Sequence, residues 1–278
     1  MNRTLGDCLA QATADLAAAG IDAAPREARM ILAHALELPQ GRIILELGKR
    51  VGEEVSDDID GMIARRLMRE PLAYILGKRA FYNHEYRVTR DVLDPRPETE
   101  TLVRAALEVP FDHVLDLGTG SGCILISLLA ARQRAAGIGT DISPEALAIA
   151  AENAEAQGLG HRAMFLESDW FDAVEGRYDL IVSNPPYVSR DEMTGLAPEL
   201  AFEPRQALTD EGDGLSAYRT IVPAARAYLR PGAQLMVEIG WQQGDTVATL
   251  FREAGFEQVT VLPDLDGRDR VVCGFCAS

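Results

Sequence analysis

Four consecutive residues, Asn184-Pro185-Pro186-Tyr187, carry groups that can hold a planar amino or amide group. Proline has no N–H and restricts the residue before it to extended conformations, so Asn184 and Pro185 form a rigid edge that offers acceptors. The Asn184 side-chain oxygen and the Pro185 carbonyl oxygen can accept both hydrogens of an –NH2 group, which directs the nitrogen lone pair at an electrophile. Tyr187 is predicted to cover the flat face of the substrate. This segment is the candidate catalytic and substrate-binding site.

A glycine-rich segment, Gly118-Thr119-Gly120-Ser121-Gly122, follows an apolar strand and opens an apolar helix. Glycine lets the backbone approach a ligand closely, although a tight turn also uses glycine for geometry alone. Asp141 ends the next predicted strand, where a carboxylate can accept hydrogen bonds from the two hydroxyls of a ribose. The pattern predicts a site for an adenosine-containing cofactor.

Two cofactor classes fit this pattern, because dinucleotides and S-adenosylmethionine both present an adenosine to such a crevice. Cys123 stands where a dinucleotide fingerprint has Gly or Ala, which favours S-adenosylmethionine. Asp169 and Trp170, at the end of a third strand, are predicted to bind the adenine amino group and to stack on the purine. Ordinary core packing is the alternative interpretation of Trp170.

The elements that must position these residues fall into three segments. Residues 1–76 show only helical periodicity, with Pro25 opening a second helix and Ser56 capping a later one that buries Ile59, Met62, Ile63 and Leu67. Residues 77–98 read as a β-hairpin linker with a turn at Asn83. In 99–278, strands alternate with helices, which predicts an α/β fold with a mostly parallel sheet. The predicted strands are 113–117, 137–141, 163–169, 178–184, 233–239, 258–262 and 270–275.

Composition narrows the class of partner. The 278 residues include 27 basic and 43 acidic side chains, a net charge of −16, which repels a nucleic-acid backbone and favours a protein or small-molecule substrate. No apolar run is long enough to span a membrane, and the four cysteines suggest no disulfide framework, so we expect a cytoplasmic protein. Cys273 and Cys276 form a lone C-x-x-C, and no metal is predicted. Glu199 and Glu203 could line a substrate channel, but a solvated loop is the favoured interpretation.

Taken together, these residues resemble the release-factor glutamine methyltransferase family, often called the HemK or PrmC family, within the class I S-adenosylmethionine-dependent methyltransferases. The resemblance covers nearly the whole chain. It includes the linker from Tyr74 to Gly77, the stretch Pro95-Arg96-Pro97-Glu98-Thr99-Glu100, and the two motifs already described. It implies a Rossmann-like seven-strand sheet joined by the hairpin linker to a small N-terminal helical bundle that recognises the substrate.

The resemblance also implies an activity and roles for further residues. The enzyme would transfer a methyl group from S-adenosyl-L-methionine to the N5 nitrogen of the glutamine in the Gly-Gly-Gln motif of peptide chain release factors. The products would be N5-methylglutamine and S-adenosylhomocysteine. Arg96, Thr99 and Asn184 would contribute to the cofactor site, and Phe81 would help to close it. Neither nucleic acid nor membrane is an expected partner, and a monomer is favoured.

Three positions depart from the family pattern: Asn83 replaces a common glycine, Tyr86 a common phenylalanine, and Asp94 an aliphatic residue. Asp94 is the least conservative change, and it bears on cofactor affinity and linker packing.

Four alternatives remain open at the level of sequence. A ribosomal-protein glutamine methyltransferase would share the cofactor site and residues 184–187 but not the stretch 95–100. A DNA adenine-N6 amino-methyltransferase would need a basic surface, which the charge of −16 disfavours. From a different class come a catalytically idle cofactor-binding module, which would not need Asn184, and a dinucleotide oxidoreductase.

Overall fold

The computed structural model describes residues 3–277, which form two compact units. The first unit consists of the chain up to Gly77 together with Pro198–Phe202. The second consists of Lys78–Ala197 and the chain from Glu203 onward.

The first unit is built from helices, as the periodicity predicts. They pack around a core that includes Leu5, Leu16, Ile31, Leu32 and Ile59. The helices are α1 (Leu5–Ala18), α2 (Ala24–Ala35), α3 (Gln40–Ile43), α4 (Glu53–Leu67) and α5 (Leu72–Leu76), with short 3-10 turns at Ile44–Glu46 and Pro198–Phe202.

The start of α4 corrects one prediction. The helix begins at Glu53 after Gly52, so Ser56 lies inside its first turn and does not cap it; instead, Ser56 accepts a hydrogen bond from Arg3. Leu67, predicted to be buried, is 37% exposed. The buried residues of α4 are Ile59, Ile63 and Arg66, whose spacing places them on one face of the helix. Leu67 comes directly after Arg66, so it is turned away from the centre of that face.

Arg66 is a buried cation in the core-facing stripe of α4. Its Nε donates to Glu27 Oε2 at 2.6 Å, and its Nη1 donates to Glu199 Oε1 at 3.0 Å. The two carboxylates compensate a guanidinium whose side chain is only 7% exposed. The prediction that Glu199 lies in a solvated loop is therefore wrong, because Glu199 belongs to the helical unit and neutralises its buried arginine.

The predicted hairpin opens the second unit. Strands β1 (Lys78–Phe81) and β2 (His84–Arg87) pair in antiparallel fashion, with Phe81 opposite His84, so Tyr82 and Asn83 form the turn. Tyr82 takes the left-handed backbone conformation, with φ of 51°. Phe81 is buried in the core and packs edge-on against Tyr86.

The rest of the second unit is an α/β sheet, which confirms the predicted fold class. Seven strands lie in the order β5-β4-β3-β6-β7-β9-β8; β9 is antiparallel to both neighbours and the other pairs are parallel. The strands are β3 (His113–Leu117), β4 (Ala136–Asp141), β5 (Ala163–Glu167), β6 (Tyr178–Ser183), β7 (Leu229–Glu238), β8 (Phe256–Pro263) and β9 (Asp269–Cys276). The helices are α6 (Glu100–Leu107), α7 (Cys123–Ala131), α8 (Pro144–Ala156), α9 (Arg205–Leu208), α10 (Ser216–Tyr228) and α11 (Gly244–Glu253).

Both faces of the sheet are covered. Along β6, Leu180 and Val182 belong to one buried apolar cluster and Ile181 to the other, as the period of two along a strand requires. The chain runs from β3 outward to β4 and later returns to β6 on the other side of β3. Such a reversal opens a crevice at the carboxyl ends of the parallel strands, where open α/β sheets bind ligands.

No helix within residues 3–277 combines the length and apolar character needed to cross a membrane.

Candidate active site

A cleft with about 1090 Å³ of empty space, open to solvent, lies at the carboxyl ends of β3 to β6. Most of the predicted site residues line it: Arg96, Thr99, Gly118, Thr119, Gly120, Ser121, Asp141, Asp169, Trp170, Asn184 and Pro186. Further lining residues that the sequence analysis did not select include Asp91, Leu93, Ile142, Pro204 and Gln206. Gly122, Pro185, Tyr187 and Phe81 are not among the lining residues.

The glycine turn between β3 and α7 needs its three glycines for different reasons. Gly118, Gly120 and Gly122 have φ of 68°, 53° and 78°, the left-handed region that side chains disfavour. At Gly122 a Cβ would lie 2.9 Å from Ile126 Cδ1 and 3.1 Å from Ala150 Cβ. This third glycine therefore allows α7 to approach α8, whereas Gly118 and Gly120 keep the cleft wall free of side chains.

Asp141 ties the turn to the end of β4. Its Oδ2 accepts the Gly120 N–H at 2.9 Å and its Oδ1 accepts the Ser143 N–H at 3.0 Å. Burial raises the pKa of this carboxyl, and the backbone donors oppose that effect. Each carboxylate oxygen can accept more than one hydrogen bond, so Asp141 can still receive ligand hydroxyls.

Trp170 stands beside the glycine turn. A Cβ on Gly118 would lie 3.7 Å from Trp170 Cζ3, and Trp170 itself has φ of 48°, which is unusual for a residue other than glycine. The Ser168 hydroxyl donates to the Trp170 carbonyl at 3.0 Å and fixes this conformation. The indole and the exposed Asp169 both border the cleft.

Asn184 leaves the end of β6 and faces the cleft. Its Nδ2 donates to Thr99 Oγ1 at 3.3 Å, which leaves the amide oxygen as the free acceptor of this side chain. Pro185 is buried. Tyr187 donates its hydroxyl to Glu238 Oε1 at 3.4 Å, and burial raises the pKa of Tyr187. The geometry thus brings Asn184 and Pro186 to the cleft and directs the Tyr187 hydroxyl at an internal carboxyl.

An ion-pair network holds the segment before α6. Arg96 Nη2 donates to both oxygens of Glu203, at 2.6 and 2.7 Å. The prediction that Glu203 lies in a solvated loop is wrong, because its side chain is only 2% exposed and pairs with Arg96. The two residues are far apart in sequence, so no local spacing could reveal the pair.

The departures at Tyr86 and Asp94 have partners in the structure. The Tyr86 hydroxyl lies 2.8 Å from Ser127 Oγ, inside the core. Asp94 is buried beside two guanidinium groups, with Arg79 Nε at 3.4 Å and Arg96 Nη1 at 3.6 Å. Burial raises the pKa of Asp94, and the two arginines oppose that effect. Asp94 therefore joins the network that positions Arg96.

Two fully buried carboxyls near the cleft were not predicted. Asp116, in β3, accepts the Thr119 hydroxyl at 2.7 Å, and burial raises its pKa to about 7. Glu238, the last residue of β7, also has a pKa raised to about 7 by burial, against the opposing effects of Thr99, Arg270 and Tyr187. In the sequence, each is a single acidic residue within an apolar strand. This pattern could have identified both as buried carboxyls with a functional role.

The buried carboxyl of Asp116 predicts a pH-dependent stability. Its folded pKa of about 7 exceeds the usual 3.8, so folding favours the protonated form; the contribution is complete below about pH 4 and is lost as the pH rises through 7. This difference in pKa corresponds to roughly 4 kcal/mol. We expect the free energy of unfolding in urea to fall between pH 5 and 8, and to fall less in Asp116→Asn, which is neutral throughout. Parallel pH curves for the two proteins would contradict this account.

Comparisons with known proteins agree with this geometry. A model of the PrmC N-terminal domain matches residues 7–77, and a model of the methyltransferase small domain matches residues 89–230. The chain is 54% identical to a release factor glutamine methyltransferase of Cereibacter sphaeroides, over 96% of each chain. It is 43% identical to a protein of the same name from Rhodospirillum rubrum, over 96% of this chain and 83% of that one.

A solved structure shares the fold at low identity. The methyltransferase from Pyrococcus furiosus superposes with a TM-score of 0.56 at 16% identity, over 79% of this chain and 100% of that one. Within residues 3–277, no group of three or more His, Cys, Asp and Glu side chains is arranged to hold a metal ion.

Proposed function

The chain belongs to the release factor glutamine methyltransferase family, and we propose that it methylates the N5 side-chain nitrogen of the glutamine in the Gly-Gly-Gln motif of peptide chain release factors. The observation that carries this proposal is Asn184, which lines the cleft and whose amide nitrogen donates to Thr99, so that its amide oxygen is the acceptor left for a substrate. An acceptor in this position suits a substrate that presents an –NH2 group.

The cofactor of the reaction is S-adenosyl-L-methionine, which when bound supplies a methyl group on a positively charged sulfur. The residues present suit such a molecule. Asp141 keeps lone pairs for ribose hydroxyls, and Trp170 offers a flat face for the purine. The left-handed glycines at 118 and 120 remove side chains from the wall of the cleft. Acidic groups in and around the cleft also favour a cationic ligand.

The chain's own residues act on the glutamine amide by holding it in place. Asn184 Oδ1 and the Pro185 carbonyl accept the two amide hydrogens, so that the nitrogen lone pair points toward the methyl carbon. The bound cofactor would supply the methyl carbon: a nitrogen–carbon bond would form as the carbon–sulfur bond breaks, neutral S-adenosylhomocysteine would leave, and the nitrogen would lose one proton to solvent in the open cleft. Alignment of the amide by the chain's own residues would supply most of the acceleration. Arg96, held by Glu203 and Asp94, keeps the segment before α6 in place at the cleft.

We assign the three segments separate roles. The helical domain, residues 1–76, recognises the release factor. Residues 77–98 link the two domains, and residues 99–278 bind the cofactor and transfer the methyl group. The net charge of −16 supports a protein substrate over nucleic acid. Four buried free cysteines suit a reducing cytoplasm, and we propose a cytoplasmic monomer.

The decisive test is transfer of labelled methyl from S-adenosylmethionine to purified bacterial release factor. The matched substrate is the same factor with its Gly-Gly-Gln glutamine replaced by alanine, and ribosomal protein and plasmid DNA serve as competing substrates. We expect label on the intact factor only. Label on ribosomal protein or DNA instead would replace the proposed substrate by one of the alternatives, and no label on any of them would favour a binding module.

A further inference from the structure

The segment 184–187 has to be held from both sides of its two prolines. Pro185 and Pro186 have no N–H, so they cannot donate to a strand ladder. On the amino side, Ser183 is fixed in β6 by pairing with both neighbouring strands, β3 and β7. The direction of the Pro185 carbonyl, the proposed second acceptor for the substrate amide, therefore also depends on how the chain is held after Pro186.

On the carboxyl side, the side chain of Gln243 holds the backbone of Tyr187. Gln243 Nε2 donates to the Tyr187 carbonyl at 3.0 Å and to the Gly214 carbonyl at 3.2 Å. Gln243 Oε1 accepts the Gly240 N–H at 2.9 Å. Gln243 directly precedes α11, and Gly240 follows the end of β7. One amide thus joins the end of the candidate catalytic segment to the loop before α10 and to the turn after β7.

The three partners determine the orientation of the Gln243 amide. A backbone N–H can only donate a hydrogen bond, and a backbone carbonyl can only accept one. The Gly240 N–H must therefore meet the amide oxygen, and the carbonyls of Tyr187 and Gly214 must meet the NH2 group. Both amide hydrogens are engaged by the protein's own backbone, so Gln243 acts on the chain and not on a ligand.

Backbone packing around the Tyr187 carbonyl is tight. Gly214 has φ of 76°, and a Cβ there would lie 2.3 Å from the Tyr187 carbonyl oxygen. The next residue, Val188, donates its N–H to the Leu208 carbonyl at 2.9 Å. The Tyr187 peptide group is therefore enclosed by neighbouring backbone on one side and held by Gln243 through a directed hydrogen bond.

We infer that Gln243 is a positioning residue for methyl transfer: by holding the Tyr187 carbonyl, it fixes the carboxyl end of residues 184–187 and with it the direction of the Pro185 carbonyl. The inference rests on the proposed function. Because the proline rings lock φ at positions 185 and 186, few dihedral angles between Pro185 and Tyr187 can absorb a displacement. A shift of the Tyr187 peptide group would then misalign the substrate amide with the methyl carbon.

The hydrogen bonds of Gln243 can be tested without any substrate. In protein labelled with 15N-glutamine, the side-chain signals of Gln243 are identified by their loss in Gln243→Glu. Those of the exposed neighbour Gln242 are identified by their loss in Gln242→Glu. We expect the amide protons of Gln243 to exchange with solvent at least about 5-fold more slowly than those of Gln242, the effect of hydrogen bonds of ordinary strength. Equal exchange at the two positions would overturn the inference.

Kinetics separate positioning from a structural role. Gln243→Glu keeps the size of the side chain but sets an acceptor against two carbonyls, and Gln243→Met removes the donor without adding charge. In both variants we expect kcat on the release factor to fall about 10- to 100-fold. The affinity for S-adenosylmethionine should change less than about threefold, because Gln243 does not line the cleft.

Gln242→Glu is the matched control, since it makes the same change at the exposed residue next in sequence. A carboxylate just before α11 is favourable at the N-terminus of a helix, so neither glutamate variant should unfold this region. We expect Gln242→Glu to keep the wild-type kcat. Unchanged kcat in both Gln243 variants would overturn the inference. So would a rise in KM for the release factor alone, or a fall in kcat matched by equal losses in Gln242→Glu or in cofactor affinity.

The two proposals fail in different ways. A wild type that methylates ribosomal protein or DNA instead would reject the proposed function, and kcat of the Gln243 variants on that substrate would decide their role. A wild type that labels no substrate would reject both proposals. A wild type that is active on the release factor, with Gln243 variants that keep its kcat, would reject the role of Gln243 alone.

Discussion

Asn184→Ala is expected to lower the rate of methyl transfer by about 100-fold or more, the effect typical of losing one preorganised polar group at a reacting centre. The physical reason is the loss of the side-chain oxygen of Asn184, a cleft residue whose amide nitrogen is engaged by Thr99 and whose oxygen is proposed to hold one hydrogen of the substrate amide. Single-turnover transfer of labelled methyl to the release factor measures this directly. Cofactor affinity, measured by calorimetry, is expected to fall by a much smaller factor, because Asn184 is one of many residues that line the cleft.

The matched control for that variant is Asn83→Ala. Asn83 is exposed in the turn between β1 and β2 and lies outside the cleft, so its removal should leave the transfer rate unchanged. If Asn184→Ala transferred methyl as fast as Asn83→Ala, the substrate amide could not be held at the end of β6.

Gly122→Ala is expected to destabilise the protein by about 3 kcal/mol or more, from backbone strain and overpacking together. With φ of 78°, the added Cβ would stand 2.9 Å from Ile126 Cδ1 and 3.1 Å from Ala150 Cβ. Ile126 Cδ1 is the end of a flexible side chain and can turn away, but Ala150 in α8 cannot. Relief of that contact requires the glycine turn and α8 to separate by a few tenths of an ångström. Urea unfolding measures the stability, and calorimetry should show a parallel loss of cofactor affinity.

Gly158→Ala separates strain from crowding. Gly158 has φ of 69°, close to that of Gly122, but a Cβ there would meet nothing within 4 Å. We expect a loss of about 1 kcal/mol, the cost of the left-handed conformation alone, with cofactor affinity unchanged. If Gly122→Ala and Gly158→Ala destabilised the protein equally, crowding between α7 and α8 would not contribute to the loss of stability at Gly122.

Much of the cleft could be predicted from the sequence because short patterns of neighbouring residues mark the segments that form it. The glycine turn, Asp141 at a strand end and the Ser143 cap of α8 each follow from the conformational preferences of a few neighbouring residues. Residues 184–187 could be interpreted for the same reason, since proline restricts its own backbone and that of the residue before it. The strands of the sheet stand out as short apolar runs between turn residues.

The remaining features depend on pairs that only the folded chain creates. From the sequence alone Glu203 is expected to be solvated, and only the structure shows that it pairs with Arg96. The surroundings of Glu238 likewise follow only from the pairing of β6 with β7. Residues 216–228 were not predicted to be helical; Pro223 lies inside α10, where a missing N–H weakens the local signal although the buried residues keep helical spacing. Burial of polar groups is decided by distant neighbours, so a local pattern cannot predict it.

The membership of Pro198–Phe202 in the helical unit has a consequence for biosynthesis. A ribosome adds about 5–20 residues per second, so the first five helices emerge several seconds before Glu199 is made. Until then Arg66 has Glu27 but lacks its second carboxylate. The same dependence applies to truncation: a fragment that ends at Gly77 would carry the buried guanidinium only partly compensated. The N-terminal bundle is thus complete only when translation has passed through most of the catalytic sheet.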